Sequence, residues 1–212
     1  KGQPIWGYTG GVKAPPGTYT VRLAAGGQSQ SRAFRLLADP RLPDVTAADY
    51  EAQFRASIAV RDSLNVVNAA LETIRAVREQ ATRAVEQAGR INRASEVTPA
   101  ADALGASLGG VELQLNQVKS ESGQDPIRHP GQLDNQLIEL YTNLTGDDSY
   151  IYGGPEGRPT RGALQRTNDL MQAWAPLSAR VRTIIEREVP AFNELLKRLG
   201  LGAIVLPPKT VM

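Results

Sequence analysis

The strongest constraint on the fold of this chain is a long stripe of apolar residues. They recur from Val60 to Ile74 in alternating steps of four and three, and the pattern continues to Ala88. This spacing is typical of one buried face of an α-helix. Thr46, followed by Asp49, favours a helix N-cap with an acid in the first turn. We therefore expect one helix of roughly 45 residues, near 65 Å long, which needs partners along its length.

The same stepping later in the chain indicates the partner helices. Thr98 followed by Pro99 predicts the start of a second helix. A third helix is expected near residues 131–145 and a fourth from about Thr160. The apolar positions are Leu104, Leu108, Val111, Leu115 and Val118 in the second helix, Leu133, Leu137, Leu140 and Leu144 in the third, and Leu170, Trp174, Leu177, Val181 and Ile184 in the fourth. Four such seams with short connections predict an up-down four-helix bundle.

Two prolines divide the last part of the helical region. Pro176 lies inside the fourth helix and should kink or break it locally. Pro190 should start a short closing helix, which Gly200 ends as a C′ residue.

The first 40 residues have a different pattern. Residues from Thr18 to Leu23 alternate in the strand period, and the Gly26-Gly27 pair predicts a turn before a second strand from Ser31. A lone hairpin is marginal in water, so it either packs on the helices after it or is the last edge of a domain that begins earlier; we favour the second. The fold class is thus mainly α, with a partial immunoglobulin-like β segment at 1–40 and a helical bundle domain at 41–212.

Composition excludes several classes of function. The chain has no Cys and a single His, so thiolate sites, disulfides and sites with two imidazoles are excluded. Its net charge is +2, and no basic block predicts nucleic-acid binding. No apolar run approaches the roughly 20 residues of a membrane-spanning helix. The N-terminus has neither an initiating Met nor a signal sequence, and we expect a processed product or a piece of a longer protein.

The candidate catalytic motifs are weak. The Gly105–Gly109 segment matches the G-x-S-x-G pattern of serine hydrolases, but it lies in a helical seam, where small residues favour close helix approach. His129 lies in a connection without a nucleophile nearby. Glu186 and Glu188 are two residues apart on a helix and do not face each other. We therefore predict no catalytic residue, no metal site and no cofactor in this segment.

Aromatic residues in glycine-rich segments are the candidates for partner contact. Tyr150 and Tyr152 lie in the connection from Gly146 to Pro159, and such exposed tyrosines are typical of protein or sugar contacts. Trp6 and Tyr8 form a similar pair near the N-terminus.

A set of short motifs resembles a known family. The signature residues are Gly123, Gln124, Asp125, Pro126, Arg128, Pro130, Leu133 and Asn135. Together with the blocks Arg158–Thr160 and Val189–Asn193, they resemble the C-terminal region of large bacterial exported proteins with sortilin-like (VPS10/BNR-repeat) β-propellers, which are often labelled glycosyl hydrolases. The segment Pro16–Leu23 resembles the end of the FlgD-like immunoglobulin module that precedes the helices there. His129, where a Tyr is expected, departs from the pattern.

The resemblance implies a propeller upstream of this chain, export to the periplasm, cell surface or medium, and no catalytic residue among these 212. Two functions remain open. The first is a non-catalytic structural or interaction module, whose partner is the propeller of the same parent or another protein. The second is an accessory glycan-binding part of a glycoside-hydrolase-like protein.

Overall fold

The computed structural model of the chain describes residues 11–119, 125–145 and 156–208. It is mainly helical, and a two-stranded antiparallel hairpin precedes the helices, as the sequence predicts. The chain divides into two compact units. Among the described residues, one unit comprises 62–119, 125–138 and 168–208, and the other comprises 11–61, 139–145 and 156–167.

The elements follow in a simple order along the chain. The strands are β1 (Gly17–Ala25) and β2 (Gln28–Leu36), and the helices are α1 (Ala47–Arg90), α2 (Ala94–Leu115), α3 (Asp125–Arg128), α4 (Leu133–Thr145), α5 (Arg161–Thr183) and α6 (Val189–Arg198), with a π-helical turn at Ile184–Glu188 between the last two.

Helix α1 confirms the prediction from the apolar stripe, with 44 residues. Its N-terminus is a reciprocal cap: the Asp49 backbone N–H donates to Thr46 Oγ1 at 3.3 Å, and the Thr46 N–H donates to Asp49 Oδ2 at 3.0 Å. The residues of the stripe from Val60 to Ala88 are buried except for Val85, which is only partly buried. Its neighbour Ala84 is buried instead.

The predicted start of α2 at Thr98 is wrong, because the helix begins four residues earlier, at Ala94. Asn92 adopts a left-handed φ of 57° and ends the turn after α1, and the carbonyl of Arg93 then accepts the Glu96 N–H at 3.1 Å. Thr98 does not cap the helix, because its hydroxyl donates to the Ala94 carbonyl inside it. The helix ends at Leu115, so Val118 lies outside its seam.

Pro176 does not break α5, contrary to one of the two outcomes expected. Proline removes the hydrogen bond to the carbonyl four residues earlier, that of Gln172. Both Pro176 and Gln172 lie on the exposed side of the helix, where water can satisfy that carbonyl. The fourth seam is also less regular than predicted, because Trp174 and Leu177 are only half-buried.

The interruption comes instead just before Pro190. In the π turn the Val189 N–H donates to the carbonyl of Ile184, five residues back. An α-helical turn would press the ring of Pro190 against the Glu186 carbonyl, and the wider π turn relieves that contact. Helix α6 then ends as predicted at Gly200, where a φ of 68° and the Leu201 N–H donating to the Leu196 carbonyl form a Schellman motif.

The residues after α6 are fixed by two side-chain amides. Asn193 accepts the Ile204 N–H at 2.7 Å and donates to the Ile204 carbonyl at 3.1 Å. Gln80 accepts the Val205 N–H at 2.9 Å and donates to the Val205 carbonyl at 2.8 Å. Each amide thus makes the pair of hydrogen bonds that a neighbouring strand would make to one residue of this segment.

The core of the larger unit is built from the stripes of α1, α2, α4, α5 and α6. Its most deeply buried members are Val67, Leu71, Ile74, Val77, Val97, Leu108, Leu115, Leu137, Val181, Ile184 and Leu196.

The hairpin forms as the sequence predicts, with nine residues in each strand. The register pairs Gly17 with Leu36 and Ala25 with Gln28. Gly26 and Gly27 have φ values of 55° and 78°, the left-handed conformations that a type I′ turn requires and that glycine adopts without strain.

The cap of α1 gives a first prediction. Replacing Thr46 by Ala should lower the free energy of unfolding by about 0.5–2 kcal/mol, because the Asp49 N–H loses its acceptor. Thr46→Ser keeps the hydroxyl and should behave like the wild type. Urea denaturation followed by circular dichroism measures both; equal losses in the two variants would contradict the capping role.

The same cap gives a pH dependence. Hydrogen bonds from Thr46 and then from Arg158 lower the pKa of Asp49 from 3.8 to about 2. Because this pKa lies below the unfolded value, ionised Asp49 stabilises the fold above about pH 4, and the contribution is lost as the pH falls towards 2. Between about pH 5 and pH 2 the stability of Asp49→Asn should therefore fall less steeply than that of the wild type. Asp39, whose pKa Arg41 also lowers to about 2, remains in both proteins, so it does not affect the difference. Parallel pH profiles would refute the assignment to Asp49.

Candidate functional site

The candidate site is one face of the hairpin. The register places Tyr19 opposite Phe34 and Leu23 opposite Gln30, so every second residue of each strand lies on the same face. The large apolar residues of this face are Tyr19, Val21, Leu23, Phe34 and Leu36, and we call it the apolar face. It also carries Arg32 opposite Val21, Gln30 opposite Leu23 and Gln28 opposite Ala25.

Much of this apolar face is in contact with solvent. Val21 is 55% exposed, Leu23 72% and Phe34 49%. The rings of Tyr19 and Phe34 lie with their centroids 5.9 Å apart, and the Tyr19 hydroxyl donates to the Pro15 carbonyl at 2.6 Å. The end of the face nearest the base of the hairpin is therefore ordered by an aromatic pair and one short hydrogen bond.

The other face of the hairpin is polar. It carries Thr18, Thr20, Arg22, Ser29, Ser31 and Arg35. The hairpin is thus two-sided in the way of a sheet that packs on one face and is solvated on the other. The charged side chains of the hairpin are Arg22 and Arg35 on this face and Arg32 on the apolar face, and neither strand contains an acid.

The weak catalytic motifs do not form a site. Ser107 lies in the middle of α2 and accepts a hydrogen bond from Arg180 at 3.0 Å, so no strand–turn–helix elbow exists there. Arg180 also pairs with Glu188 at 2.6 Å. Glu188 is thereby engaged with a cation rather than with a second carboxylate.

The packing role expected for the glycines of that motif is wrong. A methyl group added at Gly105 would meet nothing within 4 Å, and one at Gly109 would reach only the Arg78 guanidinium at 4.0 Å. Both glycines flank the buried stripe formed by Leu104 and Leu108 instead of lying in it.

Two other kinds of site are absent from the residues that the structure describes. No group of three or more His, Asp or Glu side chains could hold a metal ion. Within the same residues, no helix combines the length and the apolar character needed to cross a bilayer.

Several residues singled out by the sequence lie outside the described ranges. These are Trp6, Tyr8, Gly123, Gln124, Tyr150 and Tyr152. Their predicted roles stay predictions.

The remaining signature residues lie in one stretch before and within α4. Asp125 and Pro126 belong to the single turn of α3, which Arg128 ends, and Arg128 and Pro130 are exposed. Leu133 is buried at the start of α4. Sequence reasoning grouped these residues by resemblance alone, whereas the structure separates exposed from buried members.

Asn135 has a clear structural role among them. Its Oδ1 accepts the Gln117 N–H at 3.0 Å and the Gln132 N–H at 2.9 Å. One side chain therefore holds two backbone segments, one on each side of α3. The backbone at Gly131 approaches so closely that a methyl group there would lie 2.9 Å from Asn135 Cβ, a position in which any larger residue forces a shift.

Next to Asn135 lies a buried polar cluster that sequence reasoning missed. Asp134 is fully buried and accepts a hydrogen bond from Asn116 Nδ2. Arg75 donates to Asn116 Oδ1 at 3.1 Å and to Glu112 Oε1 at 2.7 Å. Burial raises the pKa of Asp134, and the Asn116 hydrogen bond opposes the rise. Arg75, Glu112 and Asp134 are polar residues of three different helices, and Asn116 follows the end of α2, so no spacing signal marks the cluster.

Comparison with known proteins adds no relative: no family model, curated protein or solved structure matches the chain. The resemblance to sortilin-like propeller proteins therefore stays a prediction from the residues.

The clamp formed by Asn135 gives a further prediction. Asn135→Ala should lower the free energy of unfolding by about 1–3 kcal/mol, because two partly buried N–H groups lose their acceptor. Asn135→Asp retains an acceptor oxygen and should lose clearly less at neutral pH. Urea titrations of the two variants measure the difference. Equal stability of the Ala variant and the wild type would show that water replaces the side chain without cost.

Proposed function

We propose that this chain is a non-catalytic structural or interaction module at the C-terminus of an exported β-propeller protein of the sortilin-like type. The exposed apolar face of the hairpin carries the proposal. According to this proposal, the hairpin docks through its apolar face onto an adjacent β-sheet of the same parent protein.

The energetic reason is that the hairpin gains from being covered. A two-stranded hairpin is marginally stable by itself. Burying a side chain the size of Leu or Phe stabilises by about 1.5–3 kcal/mol when it is fully covered, and Val21, Leu23 and Phe34 are each about half exposed or more. Covering this face therefore offers a substantial gain, whereas covering the polar face offers little.

The chemistry of the hairpin indicates its occupant. The apolar face of a sheet can pack against another apolar sheet face, and the resemblance of Pro16–Leu23 to the end of a FlgD-like immunoglobulin module supports such a partner. The strands carry three arginines and no acid. Of these, Arg32 lies on the apolar face opposite Val21, so the complementary surface is an apolar sheet face with a carboxylate that can pair with Arg32.

Two side chains that the sequence offered as catalytic candidates contact a cation instead: Ser107 accepts a hydrogen bond from Arg180, and Glu188 is paired with the same Arg180. The alternative, an accessory glycan-binding part, depends on Tyr150 and Tyr152. It predicts that Tyr150→Ala with Tyr152→Ala abolishes binding to a glycan while leaving stability unchanged.

The first experiment is the mass and peptide map of the native protein from its source cells. The proposal expects a larger polypeptide in which Lys1 is internal. A native chain that begins at Lys1 would overturn it.

Single-cysteine labelling then tests the docking face, because these 212 residues contain no other cysteine, and the labelled site in the parent is identified by peptide mapping. Leu23→Cys on the apolar face should react with a maleimide in the isolated chain and be protected in the parent protein. Ser31→Cys, on the polar face, is the matched control and should react in both. Labelling yield by mass spectrometry gives the result. A Leu23→Cys variant that reacts equally in chain and parent would exclude docking through this face.

A further inference from the structure

The backbone edge of β2 is a surface that the proposed function does not use. A type I′ turn closes with a hydrogen bond from its last residue to its first, so Gln28 and Ala25 form a hydrogen-bonded pair of the ladder. In an antiparallel ladder such pairs alternate with pairs that exchange no bonds. The register then gives the residues of β2 whose N–H and C=O groups point away from β1, which are Ser29, Ser31, Ala33 and Arg35. We call these groups the outer edge of β2.

The outer edge of β2 is open within the described part of the chain. All nine residues of the strand are exposed, and no backbone hydrogen bond beyond the hairpin ladder joins any of them to another described residue. Proline and β-bulges commonly protect an edge from further pairing. The strand contains no proline, and its register runs without a bulge. A further strand can therefore add to this edge.

The described chain after β2 supplies no strand to cover this edge. The sheet consists of β1 and β2, and the described residues that follow form helices and connections. Consecutive strands are usually neighbours in a sheet, so a strand that precedes β1 in a longer parent would pair with β1 and leave the outer edge of β2 open. A sheet of two strands gains stability from a third. The occupant is then a segment of another protein.

The charges of β2 indicate which segment fits. Arg32 lies on the apolar face and Arg35 on the polar face, and the hairpin contains no acid. Neither arginine belongs to an ion pair with a described residue. A second copy of the chain paired through the same edge would bring the arginines of both copies together, which is unfavourable. A strand with acids would instead place a carboxylate beside each guanidinium group.

We propose that the outer edge of β2 binds an extended acidic segment of another protein, which adds to the hairpin as a third, antiparallel strand. Arg32 and Arg35 are three positions apart, so the segment carries two acids at the same spacing. Its side chain opposite Phe34 is apolar and extends the apolar face. Main-chain hydrogen bonds supply the affinity, and the two acids supply the specificity. The inference does not rest on docking of the apolar face and stands or falls separately.

A synthetic peptide tests the site on the 212-residue chain. Its sequence is Val-Glu-Val-Thr-Glu-Thr-Val-Thr, blocked at both ends, and it faces β2 from Leu36 to Ser29 with a glutamate opposite each arginine. Amide NMR titration gives the dissociation constant and locates the contact. We expect the amide signals of Ser29, Ser31 and Ala33 to shift and their hydrogen exchange to slow at saturation. A peptide with lysine at both glutamate positions is the matched control and should not bind in the same concentration range.

Two proline variants distinguish the two edges of the hairpin. Ala33 and Thr20 lie opposite each other in one pair of the ladder, and the N–H of each points outward from its own strand. Proline at such a position removes an outward donor and leaves the ladder intact. Ala33→Pro should weaken binding of the glutamate peptide by about three- to tenfold, whereas Thr20→Pro should leave it unchanged. Nuclear Overhauser contacts between the strands confirm that the hairpin persists in both variants.

Several results would each overturn the proposal. They are absence of binding by the glutamate peptide, equal binding of the lysine peptide, and equal effects of Ala33→Pro and Thr20→Pro. Dimerisation of the peptide-free chain that Ala33→Pro abolishes, measured by analytical ultracentrifugation, would identify a second copy as the occupant instead. The labelling of Leu23→Cys reports on the apolar face in the parent protein, so the two proposals can fail independently.

Discussion

Burial of the α1 stripe is the interaction on which the larger unit depends. From Leu64 to Ala88 this stripe is almost completely removed from water, and the other helices of the unit supply the covering side chains. A helix of 44 residues gains too little from its own hydrogen bonds to persist in water without such packing. The partner helices are in the same position, because each has one apolar face. The helices are therefore stable together, and removing the cover from one face would expose the others.

Polar contacts then fix what the apolar contacts leave free. Apolar stripes attract one another without strict registration, so the relative position of α1 and α2 needs directional bonds. These bonds join Arg75 to Glu112 and Asn116. Asn116 in turn donates a hydrogen bond to Asp134 at the start of α4. The cost is a buried carboxyl group whose pKa is raised by its surroundings. A cluster of this kind favours one arrangement of the helices over its near neighbours.

Periodicity in the sequence was sufficient to predict α1, α2, α4, α5, α6 and the hairpin, because each is decided by spacing within a short segment, whereas α3 and the π turn have no such spacing. The cap at Thr46, the turn at Gly26 and the stop at Gly200 are local in the same sense. The wrong start of α2 shows the limit of that reasoning: Thr98 has the composition of a cap, but the backbone at Asn92 had already turned the chain. The polar cluster at Asp134 joins segments far apart in sequence, and no single segment carries a signal for it. The apolar face was visible as an alternating pattern, although its exposure was not.

The π turn before Pro190 changes the phase of the helix that contains it. Upstream, the buried positions Val181 and Ile184 would continue to residue 188 in a plain α-helix; downstream they fall instead on Ile185, Val189 and Phe192. The shift is one residue, or about 100° of rotation. The extra residue of the wider turn absorbs that rotation, so both stripes face the same core. The turn therefore contains one residue more than a regular α-helix needs. The apolar residues after it lie one sequence position later than a regular helix would place them, and they face the core only because the extra residue is there.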